Sequence, residues 1–82
     1  MSYHKIPLVF MPQPEGGYTV TCPVIPELLT EGDTIEEARA NVADAFAAVL
    51  EIYEETGRPL PTGVKKLPPQ EPMWAETLVQ LP

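Results

Sequence analysis

The residues able to do chemistry are twelve carboxylates, one histidine (His4) and one cysteine (Cys22). Hydrolysis on a pair of metal ions needs several carboxylates converging on one point. Here they are spread along the chain. Glu15, Glu27, Glu31 and Asp33 fall in turns, and Glu36, Glu37, Asp44, Glu51, Glu54 and Glu55 fall on a predicted helix. Glu71 and Glu76 lie near the end. They read as solvated charges. His4 has no second histidine and no neighbouring cysteine to complete a ligand set, so it reads as a surface histidine. Cys22 as a nucleophile would need an activating base. A single cysteine allows no internal disulfide, and a buried, inert thiol in a reducing, intracellular setting is expected. No metal site or cofactor is expected, so function is sought in surfaces.

Charge narrows the partners. Twelve acids against five bases give a net charge of -7. Nucleic-acid binding is driven by Lys and Arg neutralising phosphates, and the sequence shows no basic stripe. Lys65 and Lys66 read as a solvated tip. An acidic balance suits a basic protein partner as well as plain solubility. No apolar run reaches the roughly 18 residues of a membrane span, and the N-terminus lacks a signal-peptide core. A cytoplasmic chain is expected.

Behind these residues stand few elements. Residues 3–11 read as a first strand, with Pro7 either facing an unpaired side or preceding regular pairing. Gly16 and Gly17 supply the positive φ of a hairpin turn. Tyr18, Val20 and Cys22 alternate with Thr19 and Thr21, the pattern of a strand buried on one face. Pro23 and Pro26 stop regular pairing and leave a short third strand over residues 28–30. Thr34 and Glu37 form a reciprocal capping box. From there Ile35, Ala38, Val42, Ala45, Phe46, Val49 and Tyr53 recur at helical spacing to Gly57, the C-terminal stop. That helix would be about 33 Å long.

The prolines of residues 57–72 predict an extended return segment inside a single domain spanning residues 1–82. Residues 73–81 then read as a last strand. Met73, Ala75, Thr77, Val79 and Leu81 share one face, and Trp74, Glu76, Leu78 and Gln80 the other. Trp74 is either a core residue or an anchor at an interface, and Trp74, Leu78 and Met73 are the candidate interface residues. A domain this small often completes its core by self-association, so a dimer or tetramer is expected.

Gly16-Gly17-Tyr18, Val20, Pro23, Pro26, Thr30, Gly32, Thr34, Glu37-Ala38, Asn41 and Ala45, at this spacing, resemble the HicB-like antitoxin family over residues 3–57. The resemblance implies an α+β fold, a partial ribonuclease H-like arrangement of three antiparallel strands, one helix on one face and a fourth strand, in the order 3-2-1-4. The fourth strand would lie parallel to the first through a right-handed crossover. It also implies a binding protein, not an enzyme, that covers the active site of a small basic HicA-type toxin that cleaves messenger RNA. With Pro82 as the last residue, no room is expected for the DNA-binding module that family members often carry. The alternatives are a stand-alone homo-oligomer without a toxin partner and a metal-dependent nuclease. The nuclease is disfavoured because no acid sits on the first strand.

Overall fold

The computed structural model describes residues 3–82. Six elements follow one another: β1 (Tyr3–Lys5), β2 (Val9–Pro12), β3 (Tyr18–Cys22), β4 (Ile25–Gly32), α1 (Ile35–Thr56) and β5 (Lys65–Leu67). β2, β3 and β4 form a three-stranded antiparallel sheet in that order, and β1 and β5 form a separate two-stranded antiparallel ribbon. The chain is therefore α+β, with one helix packed on the sheet through β4 and β3.

The expected first strand is broken at Pro7. Residues 6–8 carry no regular pairing, and the two halves join different sheets. A proline has no N–H for a ladder, so the break falls where the ladder would lose a donor. β2 and β3 are joined through the turn that holds Gly16 (φ 102°) and Gly17 (φ 81°), a backbone region that side chains with a Cβ rarely enter. The Gln13 N–H donates to the Gly17 carbonyl at 3.0 Å.

The third strand is longer than the sequence suggests. Cys22 pairs with Ile25 and Thr21 with Leu29, so residues 26–28 bulge away from β3. Pro26 sits in that bulge, where no ladder donor is asked of it, and β4 continues through a position expected to stop it.

The helix begins and ends as predicted. The Glu37 N–H donates to Thr34 Oγ1 at 3.0 Å, while the return half of the box, from Thr34 N–H to the Glu37 carboxylate, is not made. Gly57 closes the helix in the left-handed region (φ 68°), with the Arg58 N–H reaching back to the Tyr53 carbonyl at 2.9 Å. Thr34→Ala leaves one first-turn N–H without its partner and is expected to destabilise the fold by about 1 kcal/mol. A thermal melt that superimposes on the parent's would show that the cap carries no stability.

Ala38, Val42, Val49 and Tyr53 of α1 are buried, and Ile35, Ala45 and Phe46 are half-buried. They meet two groups of sheet residues. Val20 lies under Ala38 and Val42 with Phe10 beside them, while Cys22, Ile25 and Leu28 lie under Val49 and Tyr53. Cys22 is thus a small apolar core residue, as its place in the alternation predicts.

The fourth strand corrects the expected topology. Residues 73–81 form no strand and are exposed throughout. The strand that follows the helix is β5, inside the proline-rich return, and it runs antiparallel to β1, with Tyr3 opposite Leu67, His4 opposite Lys66 and Lys5 opposite Lys65. Pro68, Pro69 and Pro72 interrupt the donors immediately beyond it, so pairing stops at Leu67.

Candidate partner-binding surface

Most of the residues that carry the family resemblance gather where the start of β3, the end of β4 and the first turns of α1 meet, and their work there is packing. Tyr18 at the start of β3 lies opposite Gly32 at the end of β4. A Cβ on Gly17 would stand 3.0 Å from the Gly32 carbonyl oxygen, and a Cβ on Gly32 would stand 2.4 Å from the Ala38 backbone nitrogen. Two turns into α1, Asn41 Nδ2 donates to the Glu31 carbonyl at 2.7 Å and ties the helix to β4. Glycine, small alanine, cap and amide together let the first turns of α1 sit directly on the strand end. Pro23 and Pro26 lie at the far end of these strands, Pro23 in the bend between β3 and β4 and Pro26 in the β4 bulge.

A second constellation was not legible in the sequence. Glu27, in the β4 bulge, accepts from Tyr53 Oη at 3.1 Å and from Arg58 Nη1 at 3.0 Å. The Arg58 guanidinium lies 4.1 Å from the centre of the Tyr53 ring. These residues are about thirty positions apart in the chain and follow no motif. A backbone hydrogen bond, and then the bond from Arg58, hold the Glu27 carboxyl below its ordinary 4.5. Burial, and then the bond to Glu27, push the Tyr53 phenol above its ordinary 10.0. A carboxyl held low when folded contributes stability above its unfolded value, and that stability is lost as pH falls from about 4.5 through the lower folded value. Arg58→Gln is therefore expected to shrink the drop in thermal midpoint between about pH 6 and about pH 3. An equal drop in both proteins would remove the Arg58–Glu27 pair as its source.

Among the described residues, no group of three or more histidine, cysteine, aspartate or glutamate side chains lies close enough to hold a metal ion, and no helix is long and apolar enough to cross a membrane. His4 packs edge-on against Phe46, with ring centres 5.3 Å apart.

What the fold leaves open is apolar. The sheet face away from α1 presents Val9, Met11 and Leu29, with Thr21 paired between Val9 and Leu29. The larger exposure lies in residues 73–81. Trp74 is 84% exposed, and Met73, Leu78, Val79 and Leu81 are exposed with it. The tail is held by one side-chain hydrogen bond, from Arg39 Nη1 to Thr77 Oγ1 at 3.5 Å. Of the two readings open for Trp74, a core role is excluded, since the ring packs into nothing within this chain. Isolated apolar side chains on a surface are ordinary, but five within nine residues of a segment without secondary structure form a patch that asks for cover.

No protein-family model matches the chain. Individual proteins do. Antitoxin HicB 1 of Photorhabdus laumondii is 44% identical over 57 residues, 70% of this chain and 37% of that protein. Antitoxin HicB of Escherichia coli K12 is 39% identical over 57 residues, covering 70% of this chain and 41% of its own length. A UPF0150 protein of Synechocystis is 42% identical over 48 residues, 57% of this chain and 67% of that protein. The matches thus span about two-fifths of the length of the HicB proteins and two-thirds of the shorter relative. With its glycines, cap and helix built as the resemblance requires, the chain belongs to the HicB-like antitoxin family.

Proposed function

We propose that this chain is an antitoxin-like binding module of a toxin–antitoxin pair, acting in the cytoplasm on a HicA-type toxin that cleaves messenger RNA. It covers the toxin's active site and performs no catalysis of its own. The observation that carries this reading is the exposed apolar run of residues 73–81, with Trp74 at its head. Interfaces concentrate their binding energy in a few aromatic and aliphatic anchors that lose water on docking, and this segment supplies several on a backbone free to adapt. The net charge of -7 favours encounter with a basic partner. The names of the matched antitoxins support the role.

A second reading, self-association into a dimer or tetramer, is favoured by the other open surface, the sheet face of Val9, Met11 and Leu29. The two readings are compatible, since the tail and that face are different surfaces. The test is co-expression with any small basic protein whose gene is found to neighbour this one. Under the proposal the pair co-purifies, and growth arrest caused by the basic protein alone is relieved. Persistent arrest with no co-purification would remove the antitoxin role and leave the homo-oligomer.

A further inference from the structure

Net charge is a sum, and the fold sorts it. The chain has five cationic side chains: Lys5, Arg39, Arg58, Lys65 and Lys66. Only Arg58 is in an ion pair among the described residues. Three of the other four, Lys5, Arg39 and Lys65, line one groove. Pairing of β1 with β5 places Lys5 directly opposite Lys65 and Lys66 opposite His4. Like charges facing one another across a ladder repel, and among the described residues neither lysine is in an ion pair. The groove is open, and its apolar lining includes Ile6, Leu8 and Phe10. Tyr3, two residues before Lys5 on the same side of β1, is exposed beside it. Sequence positions sixty residues apart thus build a cationic rim over an apolar and aromatic floor.

A surface of that make asks for a ligand that is anionic along one edge and flat and apolar along the other. A peptide of acidic residues alone satisfies the rim and leaves the floor unused. A single nucleic-acid strand satisfies both, because its phosphates meet cations while its bases stack on aromatic and apolar side chains. We propose that the groove between the β1–β5 ribbon and Arg39 binds single-stranded RNA, with phosphates at Lys5, Lys65 and Arg39 and bases against Phe10 and Tyr3. The tail borders this groove through Ala75, Glu76, Thr77 and Leu78, but failure to bind RNA would leave the antitoxin reading standing, because that reading rests on the exposed apolar side chains and not on the cations. The tail bears on it in one respect. Glu76 is the single carboxylate lining the groove, and Thr77 beside it holds Arg39. The Glu76 carboxylate therefore competes with phosphate for the same cations.

The test is fluorescence anisotropy with a labelled oligouridine of about 12 nucleotides. Three phosphate contacts predict that log affinity falls against log salt with a slope of about -2. In the Lys5→Glu, Lys65→Glu double variant, affinity is expected to fall at least tenfold and the slope to shrink to about -0.7, one contact's worth. Glu76→Gln should act in the opposite direction and tighten binding, a gain that no unfolded variant could mimic. Thermal melts of each variant serve as the control for folding. Absence of binding at low salt, or an affinity unmoved by both sets of substitutions, would overturn the proposal. Displacement of the RNA by polyglutamate as readily as by unlabelled RNA would overturn the assignment to nucleic acid.

Discussion

Gly32→Ala is expected to cost the domain a large share of its stability. The added methyl would lie 2.4 Å from the Ala38 backbone nitrogen, 2.7 Å from its Cα and 3.0 Å from its Cβ. Two of those neighbours are main chain of the first helical turns and cannot rotate away. The helix cannot simply withdraw, because Thr34 caps it two residues after Gly32 and Asn41 bonds it to Glu31. Gly32 has no positive φ, so the requirement is one of space alone and not of backbone conformation. Overpacking of this kind costs about 1–3 kcal/mol and more where backbone must shift. A domain of this size has a total stability of only roughly 4–12 kcal/mol. Denaturant midpoints followed by helical circular dichroism should therefore fall sharply, whereas Gly63→Ala, whose nearest neighbours are atoms of the Val24 side chain, should do less. A Gly32→Ala midpoint equal to the parent's would mean that the helix does not rest on the strand end as described.

Replacing Trp74 and Leu78 together with serine is expected to have the opposite signature. Neither side chain is buried in this chain, so the thermal midpoint should stay where it is. Binding to the toxin partner should weaken by about a hundredfold or more, since truncating a central aromatic anchor typically costs 2 kcal/mol or more and a second anchor adds to it. Truncation after Pro72 extends the same argument. A chain that used residues 73–81 as a packed strand would lose stability with them, but the segment as folded is exposed throughout and makes one side-chain hydrogen bond to the body, from Arg39 to Thr77. The truncated protein should therefore melt like the parent while losing toxin binding, and losing mass in light scattering wherever the tail also joins copies. If toxin binding and mass both survive truncation, the partner surface lies elsewhere, and the open face of Val9, Met11 and Leu29 is the place to look.

These two predictions mark the division between short-range and long-range information in this chain. The helix was legible from end to end because everything that defines it is local. Thr34 offers its hydroxyl to an N–H three residues on, the apolar side chains recur every three or four positions, and Gly57 accepts the left-handed turn. The hairpin of β2 and β3 was legible for the same reason, through Gly16, Gly17 and the alternation of Tyr18, Val20 and Cys22.

Tertiary structure decided the rest. Pro26 predicts a strand break by its own chemistry, yet a bulge in β4 gives it a place where no donor is needed, and only the partner strand determines that. Residues 73–81 have the alternation of a strand, but alternation does not create an edge to pair with, and β5 occupies the ribbon with β1 instead. The candidate surfaces follow the same rule. Sequence determined that Trp74, Leu78 and Met73 are apolar and near one another. Whether they face a core or water depended on where the return segment ran. Sequence likewise determined a net charge of -7, while only the antiparallel pairing of Tyr3–Lys5 with Lys65–Leu67 brought Lys5 and Lys65 to one rim. The physical reason is common to all of these cases. Caps, turns and periodicities are interactions between neighbours in the chain, whereas edges, bulges and charge clusters exist only once distant segments have met.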